Sequence, residues 1–311
     1  MKNNKKVYFI LGFSLVIYLT YIINNNYFIK NRRITIDKKK LNVSTSFYPL
    51  YFFARKIAGN KANIKNITPS GVEPHDFDLS AQDIANIGKG DLLILNGGLE
   101  TWENKIKQNF KDTNLKIITI TDNLITKEVK EENELIKDPH IWLSPPLAKR
   151  EVEKIINAFV EIDSINSNYY KNNGKNLTDE LDKLDNKYKI GLINCRRKDF
   201  ITSHTAFAYL SEAYGLKQIS VSGMSPDEEP SLKMIAKIAM FAKENNIKYI
   251  FFESMVSPKI SETIANEIGA KTLILDPIEG ISENNIKQGE DYFTIMENNL
   301  KNLRLALECK N

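Results

Sequence analysis

Only three histidines occur in 311 residues. His75 lies in "SGVEPHDFDLSAQD", His140 in "DPHIWLSPP" and His204 in "FITSHTAF". Neutral imidazole is the commonest protein ligand for metal ions, and it titrates near neutral pH. One loop histidine on its own usually makes ordinary hydrogen bonds. Three of them, each between a strand or loop and the start of a helix, form a candidate set for one shared ion. Three histidines and a carboxylate can also build a hydrolytic zinc site, which keeps one position open for water. No HExxH, SxxK or GxSxG motif accompanies them.

The elements that carry these residues follow a regular grammar. Strands are expected at 41–47, 63–69, 91–97 and 116–120, with helices at 49–59, 81–90 and 102–110 between them. Ser80 and Asp83 form a capping box that opens the second helix. The segment 127–138 reads as a charged loop, and Ser144–Pro145 starts a helix to about 161. From 166 to 190, Tyr170, Leu177, Leu181, Leu184 and Tyr188 recur at helical spacing in a polar background. That pattern predicts one long, partly exposed helix with a weak point at Gly174. Strands at 199–204, 218–223, 248–254 and 271–277 then alternate with further helices up to residue 307. Strands alternating with helices imply parallel sheets covered by helices. The fold class expected is α/β, with two lobes joined by one long linker helix. The division is 1–40 signal or anchor and linker, 41–165 first lobe, 166–190 linking helix and 191–311 second lobe. Open α/β sheets bind ligands beyond the carboxyl ends of their strands, so the three histidines can converge between the lobes. A single long helix is a stiff connection, and hinge closure on binding is not expected.

The formal net charge is +4, from 43 basic and 39 acidic residues that are well mixed outside the N-terminus. No basic stripe with interleaved aromatics exists, which argues against nucleic acid. The two cysteines, Cys195 and Cys309, form no CxxC pair or finger. Cys195 reads as a buried small hydrophobe and Cys309 as part of a frayed end, so a bond between them is not expected. "MKNNKK" precedes the apolar run 7–23, and no small-x-small cleavage site follows. The run is long enough to span a bilayer, so an uncleaved anchor competes with a removed signal. Three Lys precede it, and four Lys and two Arg follow it up to residue 40. A plain count of these charges argues against outward placement of the chain, although long domains translocate despite such charges.

"GVEPHDFDLSAQDIANIGKGDLLILNG", "DPHIWLSP", "FITSHTAFAYLSEAYGL" and "PKISETIANEIGAKTLILDPIEGIS" together resemble the metal-binding receptors of bacterial ABC transporters. These are the cluster A-I family of zinc and manganese solute-binding proteins, and the resemblance covers about residues 41–308. It implies a metal buried between two lobes bridged by a single helix. It also implies an outward-facing, monomeric receptor, not an enzyme, that delivers its ion to a membrane permease. His75, His140 and His204 match three ligands, and a histidine at the third position is the zinc-type choice. The fourth ligand is expected in "LDPIEG", where Asp276 and Glu279 compete. The downstream run looks most like the streptococcal zinc-receptor and laminin-binding subgroup, which favours Glu279. Three imidazoles with one carboxylate suit Zn²⁺, whereas Mn²⁺, the alternative cargo, prefers more oxygen. Two departures stand out. No Cys precedes Cys195, so the peptide run must replace the usual lipid anchor, and 123–138 lacks the His-rich loop of many zinc members. Some family members are described as adhesins, but no feature of this sequence speaks to that role.

Overall fold

Each strand is a short apolar run closed by a turn, and each helix returns over the sheet with one apolar face inward. The computed structural model of the chain describes residues 18–22, 40–131, 134–226 and 228–310. The expected anchor at 7–23 and the linker to residue 40 therefore fall mostly outside the described residues. Among the described residues, no helix is long and apolar enough to cross a membrane. Lys40–Asn311 form a unit of their own. Among the described residues, the three hydrophobic clusters all lie in that unit.

The first lobe holds β1 (Leu41–Thr45), α1 (Tyr48–Ala58), β2 (Ala62–Asn66), α2 (Ala81–Ile87), β3 (Leu92–Leu95), α3 (Glu103–Phe110) and β4 (Lys116–Thr119). Its strands are parallel in the order β2-β1-β3-β4. Ser80 and Asp83 make the expected capping box at the start of α2. The segment read as a charged loop is a hairpin, with β5 (Glu128–Glu131) antiparallel to β6 (Glu134–Lys137). The sequence carries no period-2 signal for it: Val129, Leu135 and Ile136 are the only large apolar residues within the two strands, and the last two are adjacent.

A one-turn 3-10 helix at Ile141–Leu143 leads into α4 (Pro145–Ile162), and α5 (Ser167–Leu192) follows. Ser144 sits at the N-cap of α4 without a side-chain cap bond, and proline at the helix start supplies the preset backbone. The long helix passes through Gly174 without a break. A methyl group there would lie 2.1 Å from Ile156 Cδ1, so glycine serves the close approach of α4 and α5.

The second lobe holds β7 (Asp199–Thr202), α6 (Ala208–Tyr214), β8 (Lys217–Ser220), α7 (Leu232–Glu244), β9 (Tyr249–Phe252), α8 (Lys259–Ile268), β10 (Lys271–Ile274), α9 (Glu283–Lys287) and α10 (Tyr292–Ala306). Its strands are parallel in the order β10-β9-β7-β8, so in each sheet the order of strand addition switches side between two central strands. The largest cluster is continuous across the molecule. It includes Val43 and Ile94 of the first sheet, Leu177, Leu181 and Tyr188 of α5, and Phe200 and Phe251 of the second sheet. Close-packed interiors transmit load rather than flex, so this shared core holds the lobes as one body.

Cys195 and Cys309 are bonded, contrary to the sequence expectation. The chain end does not fray: Leu303, Ala306 and Leu307 are buried. The last residues also pair with the segment after α5, through Arg197 N–H to the Leu307 carbonyl at 3.1 Å and Lys310 N–H to the Asn194 carbonyl at 3.2 Å. The bond closes a sequence separation of 114 residues. Loops of that size restrict the unfolded chain strongly, and such bonds contribute ~2–4 kcal/mol. Reduction, or Cys195→Ala with Cys309→Ala, is expected to lower unfolding free energy by that amount, and denaturant titration measures the loss.

Candidate metal centre

Four loops carry the candidate ligands to one place. His75 lies in the connection from β2 to α2, His140 between β6 and α4, His204 just beyond β7 and Glu279 beyond β10. His140, His204 and Glu279 are buried, and the His75 side chain is 10% exposed. Their ligand atoms all lie within 4.8 Å of one another. Glu279 Oε1 is 3.1 Å from His140 Nε2, 3.3 Å from His204 Nε2 and 3.4 Å from His75 Nε2. A tetrahedral shell with bonds of 2.0–2.1 Å has edges of about 3.3–3.4 Å. Three of the six edges of such a shell, those that meet at Glu279 Oε1, are thus already close to that spacing.

The outer nitrogens are fixed as well. His140 Nδ1 meets Asp138 Oδ1 at 2.9 Å, and His204 Nδ1 meets Glu253 Oε1 at 2.7 Å. Each carboxylate accepts the Nδ1 proton, which turns Nε2 and its lone pair inward and raises its basicity. Asp138 also accepts the His140 backbone N–H at 3.0 Å. Glu253 follows β9 and His204 follows β7, the two strands between which strand addition in the second sheet switches side. That is where open α/β sheets form their crevice.

Asp276 stands apart from this cluster. Its carboxylate accepts the Ser254 hydroxyl and, at 2.7 Å, the Ile278 N–H. Its own backbone pairs with the Asn299 side-chain amide, at 2.8 Å and 2.7 Å. Ile278 has φ 58°, a strained conformation for a β-branched residue. Asp276 therefore pins the turn that aims Glu279 inward, and strain of this kind is typical of ligand clamps. Trp142 adds a second brace: its Nε1–H donates to the Pro277 carbonyl at 2.7 Å, and its own carbonyl accepts the Tyr292 hydroxyl at 2.6 Å.

Electrostatics follow from burial and neighbours. For Glu279, burial works against the charge, yet His204 and the hydrogen bonds of the three imidazoles hold its carboxyl well below the usual range. Burial also opposes a charge on His140 and His204. The carboxylates beside them outweigh it, Asp138 and Glu279 for the first and Glu253 and Glu279 for the second, and both imidazoles stand above the ordinary histidine value. Glu73 is pushed up to about 9, first by burial and then by the charge of Glu279. It accepts the His75 N–H at 3.3 Å through one oxygen, and its other oxygen is buried without a partner. Asp138, Glu253 and Glu73 were not singled out from sequence. Their signal was position: Glu73 and Asp138 each lie two residues before a histidine, in E-P-H and D-P-H, and Glu253 stands at a strand's carboxyl end.

The family model for zinc-uptake complex component A, periplasmic, matches residues 43–306. The chain belongs to this zinc-uptake family. It is 39% identical over 283 residues to the high-affinity zinc uptake system protein ZnuA of Bacillus subtilis, covering 87% of this chain and 89% of that protein. The zinc-bound crystal structure of AdcA from Streptococcus pneumoniae superimposes with a TM-score of 0.78 at 36% identity. That match covers 88% of this chain but 59% of AdcA, so the chain corresponds to only part of that protein. The laminin-binding protein of Streptococcus agalactiae, described as bifunctional in adhesion and metal transport, aligns at 31% identity with a TM-score of 0.77, over 86% of this chain and all of that one. The family is one of solute-binding receptors, and its zinc is cargo rather than a catalytic cofactor.

Two outcomes follow from the charges and the outer hydrogen bonds. In protein freed of metal, raised imidazole pKa values mean that protons compete with zinc at His140 and His204. Zinc affinity is expected to be full above those raised values and to fall as pH drops through them, by up to about tenfold per pH unit for each proton displaced. Competition titrations across pH against a chelator of known proton linkage measure the slope. Replacing Glu253 by Gln keeps the shape but weakens the hold on the His204 Nδ1 proton, and a loss of ~10–100-fold in zinc affinity is expected. An unchanged affinity would show that the outer carboxylate does not tune the ligand.

Proposed function

We propose that His75, His140, His204 and Glu279 close around one Zn²⁺, and that the chain captures this ion outside the cytoplasm and passes it to an ABC permease. The observation that carries the ligand assignment is the set of three Nε2 atoms at 3.1–3.4 Å from one carboxylate oxygen. Imidazole donors favour zinc over manganese, which wants more oxygen. A hydrolytic centre would hold its fourth position for water, whereas here a protein carboxylate occupies it. The domain limits at 41–165, 166–190 and 191–311 serve this reading, since each lobe brings two ligands to the crevice.

The location is extracytoplasmic, as the periplasmic family description states. The finer reading is a monomer held at the membrane by the apolar run at 7–23, in the place of a lipid. An outward-facing domain delivers its ion to the permease from that position.

Ligand and positioning roles are separable. Glu279→Ala is expected to weaken zinc binding by at least about a hundredfold, since second-sphere changes alone already cost 10–100-fold. Asp276→Asn retains the acceptor for the Ile278 N–H and is expected to stay within a few-fold of the parent. Isothermal titration with zinc, and with manganese in competition, reads both variants. Full affinity in Glu279→Ala with loss in Asp276→Asn would reverse the assignment, and tighter binding of manganese than zinc would overturn the cargo.

A further inference from the structure

The C-terminal ends of α5 and α10 enclose a groove of about 800 Å³ that takes no part in the metal site. Ile190, Leu300 and Leu305 supply its apolar surface, with Ile190 77% and Leu305 51% exposed. Ile193, one residue past α5, is 71% exposed. Isolated exposed aliphatics are ordinary, but a cluster of them beside one groove marks a contact surface. The rim is cationic: Lys183, Lys187, Lys301 and Arg304 line it. One acid lines it too, Glu297, and that carboxylate is paired with Lys187 at 2.6 Å.

The same end of the lobe extends this charge. Lys198, Lys217, Lys248 and Lys271 stand at or just before the first residues of the four strands and are exposed. They occupy the edge opposite to His204 and Glu253. Acids offset part of this charge: Glu308 is paired with Lys248 at 2.6 Å and Arg196 at 3.0 Å, Asp199 lies 3.5 Å from Lys217, and Glu244 and Glu267 are exposed at the ends of α7 and α8, so the excess rests chiefly on Lys183, Lys198, Lys271 and Lys301.

We propose that this end of the C-terminal lobe docks on an anionic phospholipid bilayer. Aliphatic side chains with a basic surround are the composition of an interfacial membrane contact: the apolar groups enter the headgroup boundary and the cations meet lipid phosphates. A second copy of the chain would set like charges against each other across a symmetric contact.

Vesicle flotation tests the proposal with residues 40–311, the unit in which the three hydrophobic clusters lie, so that the apolar run at 7–23 does not dominate. The vesicles are phosphatidylcholine with and without phosphatidylglycerol, at low and high salt. Binding is expected only with the anionic lipid and is lost at high salt. Each Lys or Arg near such a surface strengthens binding about fivefold, so neutralising two of them in K183Q with K301Q is expected to weaken it by roughly 30-fold. I190D with I193D is expected to abolish insertion, while K105E with K111E, on the exposed face around α3, leaves binding unchanged. Zinc affinity of each variant reports that it is folded. Equal binding to neutral vesicles, no binding to either, an equal loss in the α3 control, or a concentration-dependent dimer dispersed by I190D with I193D would each overturn the proposal.

Discussion

A carboxylate oxygen encircled by three imidazole nitrogens is the constraint around which this molecule is arranged. Burying a charge is costly unless it is matched, and Glu279 is matched by histidines that come from three separate loops. None of these loops can hold its side chain alone. Each depends on an element behind it: the capped start of α2, the Asp138 turn before α4, and the carboxyl ends of the second sheet. The geometry of the proposed site is thus a property of the whole two-lobed body.

Rigidity at the centre comes from polar ties across the lobes as well as from the shared core. The Tyr209 hydroxyl donates to the Asp138 carbonyl at 3.2 Å and accepts the N–H groups of Thr126 and Lys127, so the second lobe grips the chain that leads to His140. Trp142 packs edge-on against Phe47 at 4.6 Å and reaches the turn that bears Glu279. Ile278 keeps its strained backbone because Asp276, Asn299 and Trp142 together over-determine that turn. A site preset in this way loses little ordering entropy on binding, which is the physical route to high affinity.

Much of this was legible in the sequence, for identifiable reasons. Short apolar runs between turn residues gave the strands, and the 3.6-residue recurrence from Tyr170 to Tyr188 gave the long helix. The histidines were legible because they are few and stand at equivalent topological positions. The roles of Asp138 and Glu253 were not, since an outer carboxylate shows itself only when its partner's ring orientation is known. The Cys195–Cys309 bond is not legible in the sequence, because a position so near residue 311 suggests a frayed segment and only the packing shows Leu303 and Leu307 anchoring it in the core. The β5–β6 hairpin carries no period-2 signal, and Gly174 looked like a helix defect because the close pass of Ile156 is a tertiary fact.

X-ray absorption at the zinc edge of the loaded protein tests the four-ligand centre most directly. The expected spectrum shows four light-atom scatterers, three with the outer-shell signature of imidazole, at about 2.0–2.1 Å and with no sulfur. Fewer than three imidazoles, or a fifth or sixth oxygen at longer distance, would contradict a shell closed by His75, His140, His204 and Glu279.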